Sequence, residues 1–183
     1  MFRVKNSKLF IGSFVLSTFL AVGFLALNDS FAQSSDRGEA DCDRQCRRDL
    51  AVVRAATAKY HDVNQALADG FVPGVRCVQI PNVGAMGIHY INFSRVDLNV
   101  DVGEPELLLY MPDESGNLRL VAVEYFVPST GSNPAPNLFG RNFQGPMPGH
   151  APGEPAHYDL HVWAWRNNPN GMFAQFNPAI SCP

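Results

Sequence analysis

Nine residues near the C-terminus, HYDLHVWAW from His157 to Trp165, gather two of the chain's five histidines and both tryptophans at odd-numbered positions. On a β-strand alternate side chains share a face. His157, Asp159, His161, Trp163 and Trp165 would then line one side, and Tyr158, Leu160, Val162 and Ala164 the other. Two further apolar stretches carry a similar intruder. In LRLVAVEYFV, Glu124 shares a face with Leu120, Ala122 and Phe126; in IHYINF, His89 shares one with Ile91 and Phe93. A carboxylate or imidazole in such company is costly to bury unless it is paired or metal-bound. Two imidazoles and a carboxylate from three strands are a ligand set for a divalent transition metal, Zn, Fe or Cu.

Spacing separates the two histidines of HYDLH. On a helix they would stand about 6 Å apart, but on a strand four residues span roughly 13 Å. The Trp-Ala-Trp alternation points to the strand, so only one of them joins His89 and Glu124. His161 is the more central, and Asp159, about 7 Å along the same face, could orient it. Without a metal, Glu124 could serve as a catalytic base, its pKa raised by apolar neighbours. Phe126, Trp163 and Trp165 would line a groove for a small apolar or sugar-like molecule. His150, in PMPGHAPGEP, is a candidate fourth ligand or lid residue. Plainer readings stand beside these: hydrogen-bonded core histidines, Glu124 paired with Arg119, Arg141 or Arg166, and tryptophans that fill the core.

The elements that position these residues follow from periodicity. Leu50, Val53, Tyr60, Val63 and Leu67 form one apolar stripe, predicting a helix over about 45–69, with Gly70 as its C-cap and Pro73 beyond. After Gly74 the chain turns to short strands: 75–80, then a loop PNVGAMG, then 88–93, 105–111, 118–127 and HYDLHVWAW. PDESGN reads as a hairpin turn. Residues 128–155, rich in Pro, Gly and Asn, read as a long functional loop or lid. The class is α+β: one amphipathic helix, then a mostly antiparallel sheet curled toward a half-barrel.

Before the helix lies targeting sequence. Arg3, Lys5 and Lys8 precede an apolar run from Leu9 to Leu27, and SFA offers small residues for a cut before Gln33. Residues 1–32 read as a signal peptide or, at that apolar length, an uncleaved membrane anchor. Residues 33–44 are a polar tether and 45–183 one domain. The net charge is −3, and Lys59 is the only lysine after Lys8. No basic footprint for nucleic acid is present. Four cysteines in an exported chain read as two disulfides. Three pairings exist, and Cys77–Cys182 with Cys42–Cys46 is favoured. An i,i+4 bridge fits a regular helix poorly, and a CxxxC metal pair is the rival for Cys42 and Cys46.

The strings GAMGIHYIN, VAVEYFV and LHVWAWRNNPNGMFAQFNPAISC resemble a family of short exported, mainly bacterial proteins of unassigned function. The resemblance runs from about Ala55 to Cys182. It implies that His89, Glu124, His161, Trp163, Trp165 and the Cys77–Cys182 pair belong to a common pattern, and that His157, Cys42 and Cys46 do not. It implies a periplasmic or extracellular protein and supplies no reaction. Three functions remain: a strand-borne metal site, whose open position could activate water or dioxygen; a non-catalytic binding module; and a structural exported domain.

Overall fold

A computed structural model describes residues 42–150 and 153–183. The leader and nearly all of the tether lie outside these residues. The described chain opens with helix α1, Arg44–Thr57, followed by a 3-10 turn at Ala58–His61 and helix α2, Val63–Ala68. The single helix expected over 45–69 is thus interrupted. Thr57 turns its buried hydroxyl back onto the Val53 carbonyl at 2.7 Å, and the Tyr60 carbonyl accepts from the Tyr110 hydroxyl at 2.7 Å. Asp62, in extended backbone, then caps a new helix by accepting from Asn64 N–H. Gly70, with φ +93°, ends α2, and Phe71 N–H reaches the Ala66 carbonyl. This is the glycine C-cap that the sequence signals.

Nine strands follow: β1 (Val72–Pro73), β2 (Val78–Ile80), β3 (Gly84–Ile91), β4 (Leu107–Pro112), β5 (Leu118–Pro128), β6 (Asn137–Leu138), β7 (Arg141–Asn142), β8 (Gln144–Met147) and β9 (His157–Val162). Six of them run in the order β1-β3-β4-β5-β9-β8, with β2 also paired to β3, and every pairing is antiparallel. The sheet is open and not closed into a barrel. PDESGN makes the β4–β5 turn, where the Asp113 carboxylate accepts from Ser115 and Asn117 N–H.

Three strand expectations are corrected. The strand expected over 75–80 covers only 78–80, as β2. The expected loop PNVGAMG is half strand, because β3 starts at Gly84, whose φ of +130° and lack of a Cβ let the Asn177 backbone lie against it. The 128–155 stretch is not structureless: β6 and β7 pair within it, and β8 joins the edge of β9.

The helices cover one face of the sheet. Leu50, Val53, Tyr60 and Phe71 pack there on Leu108, Tyr110, Val123, Tyr125, Tyr158, Leu160 and Val162. On the other face Leu107, Leu109, Ala122, Phe126 and Trp163 meet the C-terminal tail at Phe176 and Ile180. A bulge aligns Leu109 with Ala122 but Tyr110 with Leu120, leaving Val121 as the extra residue. Leu120 consequently falls on the helix side, not beside Glu124 as alternation predicts.

Disulfides join Cys77 to Cys182 and Cys42 to Cys46, and no described cysteine is free. The local bridge is accommodated because Cys42 precedes the helix. Asp43 is the N-cap, in extended backbone, and accepts from Cys46 N–H at 2.8 Å. Two disulfides imply folding in an oxidising compartment. Among the described residues no helix is long and apolar enough to cross a membrane.

Candidate metal centre

Glu124 on β5 stands directly opposite His161 on β9, in register. His89 on β3 comes from two strands away, across β4 and its Leu107 and Leu109. Two strand spacings are roughly 10 Å, a gap that a histidine and a glutamate leaning together can close. Nε2 of His89 lies 3.4 Å from Oε2 of Glu124, and Nε2 of His161 lies 3.7 Å from the same oxygen. All three side chains are buried, and one ligand atom from each falls within 4.8 Å of the others.

The two separations bear on whether the group is a hydrogen-bonded triad or could hold an ion. Both exceed the N–H···O range. They match the edge of a tetrahedron whose centre lies about 2.1 Å from each ligand, which is about 3.4 Å. Oε2 of Glu124 and both ring nitrogens of His161 have no hydrogen-bond partner although buried. Each such group costs about 1–3 kcal/mol. Arg119 and Arg141 are engaged elsewhere: Arg119 pairs with Asp113 at 2.9 Å, and Arg141 stacks on Phe173.

Burial dominates the electrostatics. It pushes the His89 imidazole down to about 4, that of His161 well below its ordinary value, and the Glu124 carboxyl well above the usual carboxylate range. The neighbouring Asp159, Glu154 and Glu106 charges raise Glu124 further. Neutral imidazoles are the form that ligates metal.

The other expected residues divide. Asp159 lies beside His161, but its Oδ2 stands 3.9 Å from Nδ1, too far for the expected hydrogen bond; it accepts instead from Gln175 Nε2 at 3.3 Å. Burial raises Asp159 to about 7. Phe126 lines an apolar cavity of about 380 Å³ with Ile91, Phe93, Val96, Leu107 and Pro155. The tryptophans do not line it. β9 ends at Val162, where Trp163 N–H turns to the Met172 carbonyl and Ala164 N–H to that of Val162, and the alternation stops. Trp163 is core, its indole donating to the Ala174 carbonyl. Trp165 crosses to the helix face, where it donates to Thr57 Oγ1 and packs on His61.

Comparison with known protein families, with characterised proteins and with solved structures returns no match. The reading of the site therefore rests on its own geometry.

His157 opens β9. Its side chain is fully buried, stacked on Phe126 with ring centres 4.3 Å apart. His150, Glu154 and His157 form a second group with metal-ligand spacing. Glu154 was not singled out by strand alternation because it lies in a loop; the only sequence signal is three ligand-type residues at 150, 154 and 157.

Glu106 is a further residue that sequence reasoning missed. Buried just before β4, it accepts from Phe126 N–H at 3.0 Å, and burial raises its pKa to about 7. A group raised in the folded state contributes stability that is complete below its ordinary value of 4.5 and lost as pH climbs through 7. Glu106→Gln keeps an oxygen acceptor and removes the charge. Thermal melts from pH 4.5 to 8 should show the variant gaining on the parent by on the order of 3 kcal/mol at the alkaline end. Parallel curves would show that Glu106 does not titrate in this range.

Proposed function

We propose that this is an exported protein that holds one divalent transition ion, Zn, Fe or Cu, on His89, Glu124 and His161 and accepts a small organic molecule in the adjoining cavity. The carrying observation is the convergence of two buried imidazole nitrogens on one buried, partnerless carboxylate oxygen, at distances too long for hydrogen bonds and right for a shared ion. Three protein ligands are one short of a closed structural tetrahedron, which is the arrangement of catalytic rather than structural sites. The cavity is next to them in register. Ile91 follows His89 by two residues and Phe126 follows Glu124 by two, each on its ligand's face.

A bound ion would supply Lewis acidity and a water of lowered pKa. The chain's own residues supply neutral imidazoles, a carboxylate held among apolar neighbours, and an apolar wall of Ile91, Leu107 and Phe126 that orients a guest and limits water. The two disulfides and the resemblance to exported bacterial proteins support a periplasmic or extracellular location. The cavity also supports a second reading, a binding module without chemistry, in which Glu124 and its histidines are a polar anchor.

Metal analysis after native purification, followed by Zn²⁺ and Co²⁺ titration of chelator-stripped protein, separates the readings. The expected result is a tightly held ion at this centre, lost in Glu124→Gln with the circular dichroism spectrum unchanged. Parent protein that takes up neither ion at this centre would refute the metal reading. A bound organic molecule released on denaturation would then favour the binding module.

A further inference from the structure

We propose that His150, Glu154 and His157 form a second, solvent-facing cation site through which the buried centre is loaded. The inference rests on the reading of the buried centre and adds how an ion reaches it. The three ligands of that centre are at most 6% exposed, so an ion must be handed inward from somewhere.

The outer group is built for the first step. Nδ1 of His150 lies 3.9 Å and Nδ1 of His157 3.8 Å from Oε1 of Glu154. The exposure of these side chains falls from 35% at His150 to 20% at Glu154 and 0% at His157. The other Glu154 oxygen accepts from His150 N–H at 2.7 Å, fixing the carboxylate over its own loop. His157 Nδ1 sits 3.0 Å from the Pro155 carbonyl. Its proton is donated there, so the nitrogen turned toward Glu154 carries no lone pair; the lone pair is on Nε2, buried and without a partner, and His157 follows the outer pair His150–Glu154 as the first ligand on the inward side.

The file of ligand atoms continues inward along β9. His157, Asp159 and His161 share one strand face, neighbours about 7 Å apart. Oδ1 of Asp159 is buried without a partner, and Oδ2 lies 3.9 Å from Nδ1 of His161. His161 then meets Glu124 at the buried centre. Partnerless buried polar atoms are rare in folded proteins. Here a line of them follows β9 at His157, Asp159 and His161, with others at Glu124 and His89 of the buried centre. A plain loop-stapling contact would account for His150 and Glu154 but not for that line.

The test uses the full chain, stripped with chelator and refilled with Co²⁺. Titration should find two ions per chain, one tight and one weak, and stopped-flow absorbance should follow the filling of the buried centre. The His150→Ala/Glu154→Gln variant should lose the weak ion and fill the centre at least about tenfold more slowly. Its final spectrum and tight affinity should match the parent. His150→Ala alone, a change at an exposed loop residue, should give the same slowing in smaller measure and guards against a folding artefact in the double variant. His161→Ala should lose the tight ion and keep the weak one, which supports the outer site whatever becomes of the buried reading. A single tight ion in the parent, with loading at the parental rate in both loop variants, would overturn the outer site and leave the buried centre standing.

Discussion

Replacing His161 by alanine should abolish tight binding of a divalent ion, lowering affinity by more than about 100-fold, while His157→Ala shifts the equilibrium affinity of the buried centre by no more than about tenfold. Both residues are fully buried on the same face of β9, so neither exposure nor facing separates them. Reach does. His161 is in register with Glu124, 3.7 Å from its oxygen, and 6.3 Å ring to ring from His89. His157 is in register with Pro128, stacked on Phe126, and belongs to the outer group. Zn²⁺ competition titrations on both variants, each checked by near-ultraviolet circular dichroism because an emptied site beside Phe126 leaves a cavity, provide the comparison. Equal losses would place His157 among the ligands of the buried centre. Intact affinity in His161→Ala would end the metal reading.

Cys77→Ser/Cys182→Ser should cost about 5 kcal/mol of stability, since the bridge closes a loop with a sequence separation of 105. For a domain of this size that corresponds to a fall in Tm of about 10–20 °C. The tail it anchors matters to the site. Phe176 packs and Ile180 is buried on the same face as Phe126 and Leu107, and Asn177 pairs its backbone with Ala85 at the start of β3. Loosening the tail should therefore also weaken ion binding by shifting β3, which carries His89. Urea unfolding with and without Zn²⁺ measures both effects, and an unchanged midpoint in the double variant would show that the tail docks without its covalent tie.

Period-2 alternation made the convergence of His89, Glu124 and His161 legible, because each interrupts an apolar strand and the interruption survives in three dimensions. It failed wherever the backbone left the regular pleat. The bulge at Val121 moved Leu120 to the other face, and the end of β9 at Val162 sent Trp165 to the helices. Neither carries a local signal, since both depend on what the neighbouring strand and tail offer as hydrogen-bond partners. The break in the helix at Thr57 is similar: its stripe of apolar residues is continuous, but the tertiary bond from Tyr110 to Tyr60 is not written in that stripe. Glu154 was missed as a neighbour of His157 because a loop residue has no periodicity to violate. The glycine cap at Gly70 and the hairpin at PDESGN were read correctly, as both depend on residues a few positions apart.

The strand order has a consequence for when the centre can exist. His89 and Glu124 come together once the meander β3-β4-β5 has formed, but His161 joins only when β9 docks against β5 after the excursion through β6, β7 and β8. The β5–β9 pairing closes a connection over 129–156, longer than the 92–106 link between β3 and β4, and a longer closure costs more chain entropy. The candidate ligand set is therefore complete only once β9 has been made and docked, and a chain that stops short of β9 lacks one of its three residues. An ion held there would be acquired by the folded protein from the pool around it, and its occupancy would then report on the compartment of maturation rather than on the compartment of synthesis.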